Sequence, residues 1–200
     1  MSNLRSAQKR MTRNLLLESG LRVFREKGYS AATVDEIASG AGATRTTFYL
    51  HFSSKEALAG ALIEQITDKT VASDAPHLPQ VIEVGDREML RTWLSERFDQ
   101  WPDTMPYVMI ADQAVGAEPK IARLIEEWHD NAVAEMVEGL DAAGRFAPEE
   151  RKLRALLAFA QLEYLSRRWA RLGWGHGVER AEALEALTDS LYRQLVTEAG

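Results

Sequence analysis

The chain has no cysteine among its 200 residues. Disulfides, thiol nucleophiles and cysteine-bound zinc are therefore excluded together. Its four histidines, His51, His77, His129 and His176, are scattered, and none stands in the HExxH spacing that puts two imidazoles on one helix face. Neither a metal nor another cofactor is expected. No apolar run approaches the roughly 20 residues that cross a bilayer, so no membrane span is expected. The opening MSNLRSAQKRMTRN is polar and basic, without the apolar centre of a secretion signal, and the expected location is the cytoplasm. Strand-like alternation is missing as well. What remains is 46% hydrophobic and 27% charged. That is apolar enough for a sizeable core and unlike a disordered chain.

Helical spacing dominates, so the expected class is all-α. A first helix is expected from Leu4 to Lys27, closed by Gly28. Ser53 and Glu56 have the form of a capping box ahead of a helix through Leu58, Leu62, Ile63 and Ile66 to Val71. Asp74 to Asp86 reads as a linker, with Asp86 capping a helix through Leu90, Trp93, Leu94 and Phe98. Pro102 and Pro106 are expected to break the chain before a short apolar segment, Tyr107 to Val115. A long helix then carries Ile121, Leu124, Ile125, Trp128, Ala132 and Met136 to near Gly144. Pro148 suits the first turn of the next helix, whose apolar positions include Leu153, Leu156, Leu157, Ala160, Tyr164 and Leu165. The run GWGHG, Gly173 to Gly177, is a sharp connection to a last helix bearing Leu184, Leu187, Leu191 and Leu195.

The net charge of −6 divides unevenly. Residues 1–55 hold nine Lys/Arg and four Asp/Glu, a net of +5, which leaves −11 on residues 56–200. Binding phosphates needs a local basic surface, not a basic protein. The asymmetry fits a basic reading head, residues 1–55, on an acidic body, residues 56–200.

Thr33 to Leu58, TVDEIASGAGATRTTFYLHFSSKEAL, gives the head its chemistry. Thr33 and Glu36 form a capping box, and Val34, Ile37 and Ala38 follow on one helix face. Gly40 and Gly42 bracket a tight turn, and Thr44 is an N-cap for a second short helix. Arg45, Thr46, Thr47, Tyr49 and His51 make that helix polar, while Phe48, with Leu50 and Phe52, is expected to look inward. So little apolar surface suits a groove of DNA better than a core, and the pattern is a helix-turn-helix. Arg45, early in the second helix, has the fork to read guanine O6 and N7 together; a phosphate contact is the other use of the same charge. Thr44 and Thr46 can donate to phosphate or touch a thymine methyl.

These positions closely resemble the tetracycline-repressor (TetR) family of bacterial transcriptional regulators. The resemblance rests on Phe48-Tyr49, His51-Phe52 and Lys55-Glu56, with Ile37-Ala38, Ala41-Gly42-Ala43, Phe24, Gly28 and Tyr29 before them. It covers the first quarter to third of the chain. Gly20 stands where the family usually has alanine, a cost of about 1 kcal/mol at an exposed helix position. The resemblance implies that Tyr49 and His51 reach the phosphate backbone and that Thr33 and Lys55 grip it from helix starts. It also implies a C-terminal helical domain that binds a small-molecule effector and forms a homodimer on a palindromic double-stranded DNA operator.

All five Trp lie in the body. Trp93, Trp101, Met105, Met109, Trp128, Phe159 and Tyr164 are the candidate lining of an apolar effector site, with Asp112, Gln113, His129 and Asn131 as candidate polar anchors. Core packing is the competing use of each aromatic. By resemblance, the last two helices form the dimer seam, with Leu184, Leu187 and Leu191 at its centre and Trp169 and Leu172 beside them. The expected function is a ligand-responsive repressor and not an enzyme. The alternatives are a small helical enzyme, for which Glu126-Glu127 with His129 is the thin case, and a protein-interaction module that keeps the fold without binding an operator.

Overall fold

A computed structural model of the chain describes residues 2–71 and 77–197. Nine α-helices and no strand are present among them. In chain order they are α1 (Ser2–Lys27), α2 (Val34–Gly40), α3 (Arg45–His51), α4 (Lys55–Val71), α5 (Leu78–Val84), α6 (Arg87–Val115), α7 (Pro119–Ala143), α8 (Pro148–Leu172) and α9 (Arg180–Leu195). The all-α expectation holds. Asp74, Ala75 and Pro76 of the expected linker lie outside the described residues, as do the side chains of Ile66 and Val71.

The helix starts follow the expected capping chemistry. Thr33 accepts from the Glu36 backbone N–H at 3.3 Å, and the Glu36 carboxylate accepts from the Thr33 N–H at 3.1 Å. Thr44 Oγ1 accepts from the Thr47 N–H at 3.1 Å, and Asp86 Oδ1 from the Met89 N–H at 2.7 Å. Pro148 opens α8. Gly28, with φ of +82°, closes α1 in the left-handed region where glycine is unstrained. One cap is shifted: Ser54, not Ser53, accepts from the Ala57 N–H at 3.1 Å and starts α4.

Two expected breaks are corrected. Leu78–Val84 is a helix inside the presumed linker, because Leu78, Val81 and Ile82 bury one face. The chain does not break at Pro102 or Pro106, since α6 runs through both. An interior proline costs about 3 kcal/mol. Around these two, Phe98, Trp101, Met105, Tyr107, Val108, Ile110 and Ala111 are all buried. At roughly 1.5–3 kcal/mol for each large side chain, that burial outweighs two prolines.

The chain divides into two compact units, residues 1–72 with 106–125 and residues 73–105 with 126–200. The division falls within α6 between Met105 and Pro106, and within α7 between Ile125 and Glu126. The first unit is thus a larger packing body than residues 1–55.

In the first unit, Leu16, Leu17, Phe24, Ile37, Phe48, Leu58 and Leu62 form the core. Gly20 is buried rather than exposed, and a Cβ there would sit 2.4 Å from a Leu58 methyl. Its missing side chain lets α4 lie close on α1. Buried Ser19 donates to the Ile37 carbonyl at 2.8 Å and Arg22 to that of Gly40 at 3.2 Å, fixing α2 on α1. In the second unit, α8 turns Ala155, Ala158, Phe159, Leu162 and Ser166 inward against Ala183, Leu184, Leu187 and Leu191 of α9. Arg87 and Arg91 of α6 hold Glu185 and Asp189 of α9 by ion pairs. The sharp connection contains left-handed Gly173, Gly175 and Gly177.

Candidate nucleic-acid interface

Only Phe48 of α3 is buried, and Leu50, expected to look inward, is 73% exposed. The Phe48 ring packs on Phe52 at 5.8 Å and edge-on to Tyr49 at 5.5 Å, which seats the helix with one anchor and leaves the rest outward. Thr44, Arg45, Thr46 and Tyr49 are exposed, as is Thr33 at the start of α2. Five of the seven expected DNA contacts thus share the open surface of the two short helices. Arg45 Nη1 donates to Asp35 Oδ2 at 2.8 Å, and its Nη2 reaches the Tyr49 hydroxyl at 3.5 Å. The guanidinium lies 5.7 Å from the Tyr49 ring centre. Asp35, then Tyr49, raises the arginine's pKa further above its ordinary value.

His51 is half-buried, and its Nδ1 has no hydrogen-bond partner. Burial, with Lys9 and Arg13 nearby, lowers its pKa below the ordinary imidazole value. It is therefore a neutral donor at pH 7 and not a second cation beside α3. Arg13 stacks over Phe52, 4.9 Å from the ring centre.

Lys55 differs most from expectation. Its ammonium donates to the carbonyls of Tyr29 at 2.7 Å, Ala32 at 3.0 Å and Ser30 at 3.4 Å, and lies 4.5 Å from the Tyr29 ring centre. A lysine has three N–H donors, and all three are occupied by the turn after α1. Its grip is on that turn. Tyr29 itself is buried; its N–H donates to Gln113 Oε1 at 2.9 Å and its hydroxyl to Glu118 Oε1 at 2.7 Å.

The expected effector lining is split. Trp93, Trp101, Met105, Trp128 and Phe159 belong to the second unit, and Met109 to the first. Trp101 is buried among Phe98, Trp169 and Trp174, with ring centres 4.3, 5.6 and 5.5 Å away, so it is a core residue. Trp128 meets Phe159 edge-on at 5.9 Å, and His129 Nε2 beside them lies 2.6 Å from Glu163 Oε1. Tyr164 does not line an interior: it is 68% exposed on the outer face of α8.

The expected seam residues divide between covered and open positions. Leu184, Leu187 and Leu191 are 3%, 6% and 1% exposed within a single chain, because α8 already covers them. Leu153, Leu156, Leu157, Tyr164 and Leu172 of α8 form the outward apolar stripe instead. Periodicity marked both helices but did not tell which α8 face met α9. The buried face of α8 holds Ala155, Ala158, Phe159, Leu162 and Ser166. Sequence reading also missed Asp35, since no helical period links residues that lie on separate helices.

Two short capped helices, the second anchored by one aromatic and otherwise open, form a helix-turn-helix. The family described as bacterial regulatory proteins, tetR family, matches residues 16–62. The match is confined to the first unit, where these residues hold the helix-turn-helix, and the similar proteins are named as transcriptional regulators. It is 32% identical over 115 residues to the HTH-type transcriptional activator FasR of Mycolicibacterium smegmatis, covering 57% of this chain and 52% of that one. It is 29% identical over 136 residues to the HTH-type transcriptional repressor DhaR of a Mycobacterium species, covering 52% and 69%. The chain thus spans about half to two thirds of the length of these relatives, and 33% of that of the uncharacterised regulator YerO of Bacillus subtilis. A TetR-like transcriptional regulator from Rhodococcus sp. RHA1 shares the fold, with a TM-score of 0.69 at 18% identity over 94% of this chain and 97% of that one.

Proposed function

We propose that the protein is a cytoplasmic repressor that binds a two-fold symmetric DNA operator as a homodimer and is released by an apolar or amphipathic small molecule. The observation that carries the reading is the surface of α3, which buries Phe48 alone and presents Arg45, Thr46 and Tyr49. Arg45 reads a guanine edge; Thr33, Thr44, Tyr49 and neutral His51 hold phosphates around it. Residues 1–55 are the functional head, and residues 56–200 carry the effector site and the dimer contact. One head covers few base pairs, so useful affinity needs two heads spaced along the duplex. The α8 stripe of Leu153, Leu156, Leu157, Tyr164 and Leu172 is the surface available for that pairing. Trp93, Met105, Trp128 and Phe159 of the second unit supply apolar material for an effector, with His129 of the same unit as a polar anchor. The effector acts by preferring a conformation with wrongly spaced heads, and the shift is limited to its difference in affinity between the two states.

The test is anisotropy titration of the full chain on fragments of its own upstream DNA. Saturable binding by two chains to a two-fold fragment is expected, weakening with salt by about 0.9 log units per log unit for each phosphate held. Arg45→Ala should cost about 1–3 kcal/mol on that fragment and relax preference at one base per half-site. Equal wild-type affinity for all sequences would overturn the reading.

A further inference from the structure

Asp35 is an acid on a surface offered to a polyanion. It is the second residue of α2, exposed, and its Oδ2 accepts from Arg45 Nη1 at 2.8 Å. Tyr49, four residues beyond Arg45, closes the other side: its hydroxyl is 3.5 Å from Nη2 and its ring centre 5.7 Å from the guanidinium carbon. A carboxylate here repels phosphate and lowers the affinity of the head for any DNA. We infer that Asp35 is a positioning residue that makes Arg45 a base reader, by holding its fork and cancelling its attraction to the backbone. The inference rests on the DNA-binding reading above.

Donor accounting allows it. A guanidinium has five N–H groups; Asp35 and Tyr49 engage two, and three remain. Simultaneous donation to guanine O6 and N7 needs two of these. Charge accounting decides the direction. A free arginine beside DNA is drawn to the nearest phosphate, whatever the sequence. The Arg45–Asp35 pair carries little net charge, yet the remaining N–H groups of the guanidinium stay directional, so Arg45 gains most where an acceptor pair matches its fork. Fixing the side chain before binding also reduces the freedom lost on contact, which favours the one geometry the fork can serve. Asp35 therefore exchanges general affinity for discrimination.

The experiment compares the full-length wild type, Asp35→Ala, Asp35→Asn and Arg45→Ala. The DNA set is the operator, its base substitutions at every half-site position, the same operator with 7-deazaguanine in place of guanine, and random-sequence duplex. The wild type should prefer guanine at one position per half-site by about 5- to 150-fold, and 7-deazaguanine there should erase most of it. In Asp35→Ala that preference should fall below about 3-fold. Its affinity for random duplex should rise several-fold, with a salt slope steeper by up to about 0.9, because the released arginine takes a phosphate. Asp35→Asn keeps an acceptor for Nη1 and should retain more of the preference than Asp35→Ala. A residue needed only for folding would weaken the operator and random duplex alike, and that result overturns the inference. So does an unchanged base preference in both Asp35 variants. Should Asp35→Ala lose its melting transition, Asp35→Asn carries the test through the same random-duplex affinity and salt slope. A wild type that does not separate operator from random duplex refutes the DNA-binding reading itself, which the variants do not affect.

Discussion

The Lys55 ammonium donates to the carbonyl of Tyr29 at 2.7 Å and lies over the same residue's ring at 4.5 Å, tying the first residue of α4 to the turn that ends α1. The same Tyr29 donates through its backbone N–H to Gln113 and through its hydroxyl to Glu118. One residue thereby joins four segments of the first unit, and the lysine stabilises its backbone.

Lys55→Ala removes a charged donor from three carbonyls and should lower unfolding free energy by about 1–3 kcal/mol in urea titration. The salt slope of DNA binding should stay at its wild-type value. A slope reduced by about 0.9 would show that Lys55 leaves the turn to hold a phosphate.

Tyr29→Phe should cost about 1–2 kcal/mol at neutral pH, for the lost hydrogen bond to a carboxylate. Burial first, and then Glu118, raises the phenol's pKa well above its ordinary value near 10. The folded chain therefore favours the protonated form. Its contribution is fully present below about pH 10 and is lost as pH rises toward the folded value. Urea midpoints from pH 8 to 11 should show a constant gap between wild type and Tyr29→Phe, then a shrinking one above about pH 10. A gap that stays constant to pH 11 would contradict the raised pKa.

Gly139→Ala sets two effects against each other. Helix propensity alone would favour alanine by about 1 kcal/mol. A Cβ at Gly139 of α7, however, would lie 2.6 Å from the Pro79 carbonyl oxygen and 2.7 Å from Ile82 Cβ. Overpacking against backbone should win, with a net loss of about 1–3 kcal/mol. A higher melting temperature would show that α5 yields without cost.

Leu156→Asp with Tyr164→Asp should leave circular dichroism native and give monomers in sedimentation, because both side chains are outside the single-chain core. Leu187→Asp should instead abolish cooperative unfolding. An uncompensated charge in that core costs several kcal/mol, against a total stability of about 5–15 kcal/mol. Intact dimers in the α8 variant would move the contact elsewhere.

The head was the legible part of the sequence. Thr33, Glu36 and Thr44 act within one turn of themselves, and Phe48 is the sole apolar anchor of a polar helix, so local rules suffice. What local pattern does not reveal has one cause, the dominance of tertiary contacts. Leu153, Leu156 and Leu157 of α8 have core chemistry and core spacing, yet face outward, while Phe159 and Leu162 of the same helix are buried. Lys55 follows an open, capped helix start, and only the fold reveals three carbonyls converging on it. Gly20 carries no signal of its own until Leu58 is seen filling its space.

The uninterrupted course of α6 through Pro102 and Pro106 has a mechanical consequence. Neither proline has an N–H, so the carbonyls of Phe98 and Pro102 receive no helical donor from them. Curving an ordinary helix lengthens or breaks such bonds; here two of them are missing from the outset. Along this stretch the helix is held by two fewer backbone bonds than its length would allow.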